Sequence, residues 1–545
     1  MSTARALLVV ALGLALARCS DFDAALAECY RSGRCLDASM AGGGGGGDVG
    51  GGSGGEGGGA AGGDAGGAGG AGGGAGGSGG GSAPACTLRV TAFTHHLVDG
   101  PAVVDVPSTG PLAALVSEGD GGYASWPGVA EDAGVFCVEG VPDAGLLLVR
   151  IGTDFYVQTR ERAVDVSRWV RGRPNLVQQP ALIGFDFRRL GTLTPGWGGD
   201  DGGIAEHFAL SSHGAALSAW VEPELPAGLR DGGRMVFDVS TAARVEASEG
   251  DVVHLLRCAR SGPRTCSTVQ YTAGLVSTGD AGDYIVDAGP LRAVAQDRDV
   301  SLNWNTISAD LRYQLNAYDA GYDAGIRGVL GFLGRTMYRV DLWADPHDAG
   351  WVESAPLLAA VDADAGAFSV SFAYGTPFPG PVAVAATASA QTQWLAGDGA
   401  TATRLIRVVS QRVVRQRTTD AGTLGFPRPP LAVRVNGTSI EQLDYLGLLP
   451  QPIFLQWNNP PGAETQYRVE VVRIVAVGVQ TELVPAASFW LPASSTSLTL
   501  PKLAPGEYGL RLSAIRADPY DPAVPLKPGA DYSVAQTLVR PFSVR

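Results

Sequence analysis

The chain has 545 residues, 40 basic and 54 acidic side chains, a net charge of −14 and only 17% charged residues. That length calls for several domains rather than one core. The acidic, charge-poor balance excludes nucleic acid as a partner, because its recognition needs a dense basic footprint.

The first element is an export signal. Arg5 supplies a small positive n-region, and Ala6 to Ala17 is an apolar run. The run is too short to span a bilayer, which takes about 20 residues, but it suits a signal peptide over residues 1–18. No later stretch is long and apolar enough to cross a membrane. Two cleavage readings stand side by side. Ala15-Leu16-Ala17 fits ordinary signal peptidase and would release a secreted chain. Leu16-Ala17-Arg18-Cys19 resembles a bacterial lipobox, with Arg18 where a small residue is usual. This resemblance implies a lipid on Cys19 and attachment to a membrane through it. Ser20, in place of the Asp that retains lipoproteins at the inner membrane, implies the outer membrane, surface-exposed or periplasmic.

Cysteine parity bears on the same choice. The chain has seven cysteines, and in an oxidising compartment an odd thiol is a liability. With Cys19 given to lipid, six remain as neighbours along the chain: Cys29 with Cys35, Cys86 with Cys137, and Cys258 with Cys266. Connectivity cannot be deduced from sequence, so these pairs are proposals.

Residues 19–40 form a short Cys-bearing segment. Residues 41–85 are Gly-rich and low in complexity, with no means of building a core, and are expected to be a disordered linker. The tract from Ala41 to Ser82 would span about 35 Å as a coil and about 140 Å fully stretched. Behind a lipidated Cys19 it is a tether that holds folded domains clear of a membrane. GGSGG at Gly51–Gly55 and Gly76–Gly80 matches a nucleophile elbow in letters only, since polyglycine supplies neither the strand nor the helix that motif requires.

From Cys86 onward the fold class is all-β. Short apolar runs alternate with Gly, Pro and Asp clusters: Leu146–Ile151, Met235–Val239, Val252–Leu256, Tyr338–Leu342, Phe368–Tyr374, Pro381–Ala386 and Tyr467–Ile474. That texture predicts tandem β-sandwiches, at 86–178, 179–300, 301–429 and 430–545. The middle, 179–429, is one larger domain or two. Asp-Ala-Gly punctuates the pattern, beginning at Asp132, Asp143, Asp280, Asp287, Asp319, Asp323, Asp348, Asp364 and Asp420. Asp opens a turn and Gly supplies the positive φ that closes it, so these read as hairpin turns. The oxygen spacing of a calcium loop is missing.

Two segments carry a family pattern. Gly134-Val135-Phe136, then Gly140-Val141-Pro142 with Gly145, then Leu146 to Val149 is similar to the carboxypeptidase regulatory-like, prealbumin-type sandwich. That resemblance covers Cys86 to Arg173, implies a non-catalytic module, and has Cys86 and Cys137 joining an early strand to a middle one. Leu455-Gln456-Trp457, Tyr467 to Val471, and Leu498-Thr499-Leu500 running into Gly506-Glu507-Tyr508 resemble a fibronectin type III domain over 430–545. The resemblance implies a core Trp457, a tyrosine corner at Tyr508, a last strand through Pro541–Val544, and no catalytic residues. The whole chain resembles Gly-linkered lipoproteins of high-GC Gram-negative bacteria, which implies location more than activity.

Candidate chemistry is sparse. His95 and His96 are adjacent, so on a strand they point to opposite faces and cannot chelate together. His207, His213, His254 and His347 belong to no ligand motif, no cofactor pattern occurs, and spacing alone proposes no catalytic triad. RLIRVVSQRVVRQR carries Arg404, Arg407, Arg412, Arg415 and Arg417. It reads either as a polyanion contact or as strand pieces showing Arg to solvent and Val to the core. Trp197, Trp220, Trp343, Trp351 and Trp394 are core residues or sugar platforms. The function expected is a surface-exposed lipoprotein acting as a non-catalytic binding or structural module for a glycan or protein. The alternative is an exported hydrolase, acting on polysaccharide, with its site in 179–419.

Overall fold

A computed structural model of the chain describes residues 86–98, 103–118, 122–176, 183–188, 206–212, 214–221, 234–237, 245–262, 265–278, 284–295, 298–303, 338–345, 357–363, 369–377, 383–396, 404–416, 422–424, 429–440, 445–458, 464–477, 480–526 and 531–545. The signal peptide, Cys19, Cys29, Cys35 and the Gly-rich linker lie outside them. The described residues form strands almost throughout, in several sheets, as the alternating apolar runs predict.

The first sandwich contains β1 (Cys86–Thr91), β2 (Phe93–Leu97), β3 (Val103–Pro107), β4 (Leu112–Ser117), β5 (Tyr123–Asp132), β6 (Val135–Glu139), β7 (Leu147–Ile151), β8 (Phe155–Thr159), β9 (Ala163–Asp165) and β10 (Arg168–Arg171). One sheet runs β9-β1-β6-β5 and the other β5-β4-β7-β8, with β5 bending from one into the other. Leu88, Val90, Phe136, Val138, Leu112, Val149 and Val157 meet between them. Cys86 and Cys137 form a disulfide, as their neighbourhood along the chain suggests. One Asp-Ala-Gly turn acts as expected: Gly134 closes the β5–β6 hairpin at φ +70°. Gly145, at φ +107°, lies instead in the crossing from β6 to β7, which pair with other strands and not with each other.

The middle region adds β11 (Ile183–Arg188), β12 (Glu206–Ser212), β13 (Leu217–Val221), β14 (Arg234–Phe237), β15 (Val252–Gly262), β16 (Thr265–Thr278), β17 (Tyr284–Asp287) and β18 (Arg292–Ala293). They run β13-β12-β15-β16-β17-β11-β14, with β18 on the flank of β16. Gly289, at φ +71°, lies between β17 and β18, which both pair with β16 and not with each other. Cys258 and Cys266 stand in the two arms of the β15–β16 hairpin, opposite Val269 and Arg260 respectively. Then follow β19 (Arg298–Asn303), β20 (Tyr338–Asp345), β21 (Leu357–Ala363), β22 (Ser369–Tyr374), β23 (Ala383–Ala396), β24 (Arg404–Gln416) and β25 (Gly422–Leu424). β22-β19-β25 is a separate small sheet, while β21-β20-β23-β24 joins β16 through the pair Thr265–Val361.

The last sandwich contains β26 (Leu431–Val435), β27 (Thr438–Ser439), β28 (Leu448–Leu449), β29 (Phe454–Asn458), β30 (Gln466–Val477), β31 (Gln480–Pro492), β32 (Ser497–Thr499), β33 (Gly506–Asp518) and β34 (Asp531–Val544). One sheet is β27-β26-β29-β32 and the other β31-β30-β33-β34 with β28 at its edge. Trp457 is buried and meets Tyr467 edge-on at 5.5 Å. Tyr508 donates its hydroxyl to the Ala504 carbonyl at 2.8 Å, and burial pushes its pKa up, keeping it a donor.

The two end sandwiches are not separate beads. β8 pairs in parallel with β31, Tyr156 opposite Phe489, so one sheet runs β5-β4-β7-β8-β31-β30-β33-β34. One face of this shared sheet, with Leu112, Val149, Val157, Trp490, Ile515 and Val534, packs with β1 and β6. The other face, with Ala113, Leu115, Leu148, Tyr156, Phe489 and Leu512, packs with β26, β29 and β32. The result is three β layers, and strands apolar on both sides, such as LAALV and LLV, are what a central layer requires.

The β23–β24 hairpin joins the far edge of the same sheet through β24 and β34. Its Trp394, fully buried in a cluster with Ile406, Val408 and Val472, brings the six-membered ring of its indole against Gly509 of β33. A Cβ at residue 509 would overlap that indole. Gly509→Ala is therefore expected to cost about 1–3 kcal/mol by overpacking. Chemical denaturation checks it, and wild-type stability would show that the contact yields freely.

Candidate ligand-binding face

A small sheet of order β10-β2-β3 stands beside the first sandwich, β2 pairing in parallel with β10 and antiparallel with β3. The register places Trp169, His95 and Asp105 directly side by side, so their side chains share one face. His95 Nδ1 lies 2.7 Å from Asp105 Oδ1 and donates to that carboxylate. The Trp169 and His95 rings are 4.5 Å apart at 34°. Phe93, two residues earlier on the same face, stacks toward His95 at 6.3 Å. The Asp105 side chain is 59% exposed and that of His95 20%, so solvent reaches the row. Val103 continues the face, 43% exposed.

The row is held from several sides. Phe93 rests its ring on Gly134, where any side chain would collide with it. The Phe93 amide donates to Ser167 Oγ at 2.9 Å, and the Gly172 amide donates to the Leu97 carbonyl at 2.9 Å. Beyond β10, the buried Arg173 pairs with Asp251 and, at 3.7 Å, with Glu246, which fixes this end against the middle region. His96 turns the other way, as adjacent strand residues must, and its Nδ1 donates to the Gly172 carbonyl at 2.9 Å. Burial lowers its pKa against the pull of that bond, and the nearby Arg168 charge lowers it further. His96 is thus a neutral structural group, and of the two only His95 belongs to the row.

The structure buries one member of the arginine cluster of the sequence. Arg404, Arg407, Arg412 and Arg415 stand on β24, which runs in unbroken register with β23. Arg415 is 1% exposed, with its guanidinium 5.7 Å from the Tyr532 ring, and is withdrawn from any polyanion. Arg417 lies outside the described residues. The burial of Arg415 comes with the pairing of β24 to β34.

Two other groupings carry no chemistry. Cys86, Cys137 and Glu131 approach within 4.8 Å, but the sulfurs are bonded to each other and offer no thiolate. Ser211 stands opposite His254, whose Nδ1 is 2.9 Å from the Tyr271 hydroxyl. Burial pushes Tyr271 up to about 12, so this partner is a protonated phenol rather than a carboxylate. Ser211 is 3% exposed and closed to a substrate.

Sequence reasoning separated His95 from His96 but singled out neither Trp169 nor Asp105. The available signal was His95 on a short alternating segment next to Val-Asp-Val, which suits a paired edge strand. Pairing with β10, some seventy residues on, carried no local mark.

No protein-family model matches the chain, and no curated protein matches it. Among solved structures, a tetra-tandem repeat in the extending region of a large adhesion protein aligns over 82% of this chain and 99% of its own, at 10% identity and a TM-score of 0.09. A likeness at that score carries no argument.

Proposed function

We propose that the chain is a surface-exposed outer-membrane lipoprotein, anchored through Cys19, that serves as a non-catalytic binding module for a glycan or protein partner. The observation that carries this reading is the Trp169–His95–Asp105 row: aromatic rings beside a hydrogen-bonded His–Asp pair that solvent reaches, set side by side by strand pairing. The anchor rests on the lipobox-like Leu16–Cys19, on cysteine parity and on the tether behind it. The strand order of residues 431–544, with Trp457 and Tyr508 in their places, supports reading that sandwich as a fibronectin type III domain. Residues 86–173 are read as a prealbumin-type module. A hydrolase would need an open nucleophile or a pair of carboxylates about 5–10 Å apart in one cleft; among the described residues of 179–419, Ser211 beside His254 is buried and is not such a nucleophile.

Cell fractionation combined with product analysis tests this reading. Cys19→Ser is expected to shift the chain from the membrane to the soluble fraction, and the full-length chain is expected to leave polysaccharides uncut. A Cys19→Ser chain that stays with the membrane, or release of shortened oligosaccharides, overturns it.

A further inference from the structure

We infer that the Trp169–His95–Asp105 face takes a neutral pyranose unit of a glycan, with the sugar's C–H face on Trp169 and a hydroxyl donated to Asp105. The inference rests on the binding-module reading and names its ligand class.

Size comes first. Adjacent strands lie about 4.8 Å apart, so the row from Trp169 across His95 to Asp105 spans about 10 Å. That is the scale of one sugar ring and its substituents. It is far narrower than a patch of roughly 800 Å² per partner, about 28 Å across, that a stable protein interface takes, so a glycan fits better than a folded protein.

The donor and acceptor inventory comes next. Asp105 Oδ1 is occupied by His95 Nδ1–H, which fixes the plane of the carboxylate. A carboxylate has about four lone-pair sites, so Oδ2 still offers acceptor capacity on a side chain that is 59% exposed. A ligand that meets this end must bring hydrogen-bond donors, as a polyol does. An anionic ligand would meet a fixed negative charge on a chain whose net charge is −14. The indole of Trp169, steadied by the His95 ring at 4.5 Å, offers a flat apolar platform at the other end. Phe93 and Val103 extend the apolar surface on the same side, so neighbouring units of an oligosaccharide have somewhere to lie.

Titration calorimetry on the full-length chain tests this with cellohexaose, mannohexaose and chitohexaose as neutral probes and oligogalacturonate and heparin as anionic ones. The expected result is binding of at least one neutral probe, weakened about tenfold by Trp169→Ala, the scale of one lost aromatic contact. Asp105→Asn, which keeps the shape and removes the charge, should weaken the same probe, while circular dichroism shows both variants folded. Neutral binding that neither variant changes overturns the site. Binding of an anionic probe alone, lost in Trp169→Ala, overturns the ligand class and leaves the binding-module reading standing. No binding of any probe overturns the inference, and release of shortened products overturns the reading beneath it.

Discussion

Phe489→Ala is expected to unfold the first and last sandwiches together. Phe489 is 1% exposed on β31 and stacks on Tyr156 of β8 at 4.5 Å and 12°. Its core draws Leu115 and Leu148 from one end of the chain and Val469 and Leu512 from the other. Removing a buried Phe costs about 3–5 kcal/mol, from lost transfer energy and the cavity left behind. A domain holds only about 5–15 kcal/mol, so the loss is a large fraction. The contact is one of several ties. The Ser488 amide donates to the Asp154 carbonyl at 2.8 Å, and the Tyr123 hydroxyl donates to the Thr499 carbonyl at 2.6 Å. Ser495 Oγ donates to Gln158 Oε1 at 2.8 Å. Urea denaturation followed by hydrogen exchange checks the prediction. Protection should fall in β4, β7 and β8 as well as in β30 and β33. A loss confined to 430–545, with the first sandwich as protected as before, would make the two independent domains.

Replacing both Cys86 and Cys137 by Ala is expected to cost about 4 kcal/mol, the chain-entropy value for a loop closed across 51 residues. The double replacement avoids leaving a lone thiol. Its effect should concentrate where the bond is placed. Cys86 opens β1, which pairs with β6 from Cys86–Glu139 to Thr91–Val135 and carries the fully buried Leu88 and Val90. Without the bond, the described ties left at this end are the β1–β6 ladder and the Thr87 hydroxyl, which donates to the Val138 carbonyl at 2.8 Å and accepts from the Val141 amide at 3.1 Å. Thermal melts of the wild type should fall toward those of the variant when a reductant is added. Melts that respond to neither the reductant nor the replacement would show that the ladder alone secures the strand.

Local chemistry was legible wherever it acts over a few residues. The strand class follows from alternation and β-branched runs, and the three described Asp-Ala-Gly segments place glycine at positive φ, where a side chain would be strained. Trp457 and Tyr508 sit in the core because the short patterns around them already specify which face is apolar. The opposite orientations of His95 and His96 follow from the two-residue period alone. Cys86 and Cys137 were legible as neighbours among the cysteines that follow the linker.

The tertiary structure decided which strand edges meet. Every edge offers the same row of N–H and C=O groups, so nothing in Phe155-Tyr156-Val157 names Ser488-Phe489-Trp490 as its partner. The choice comes from surfaces that exist only once both segments are folded: Tyr156 flat on Phe489, and Trp490 closing the core of the first sandwich. A trace of this was present in the two-faced apolar runs LAALV and LLV, since a strand with one wet face alternates and a central one does not. The same reason governs the candidate face. Trp169, His95 and Asp105 are separate in sequence, and backbone pairing alone sets them in one row. Of the arginines close in sequence on β24, Arg415 is buried beside Tyr532. The sequence by itself determined the element type, the turns and the inward faces, because these depend on φ/ψ preference and side-chain period. Only the tertiary structure decided the shared sheet and the exposed row, because non-local pairing is selected by shape across hundreds of residues.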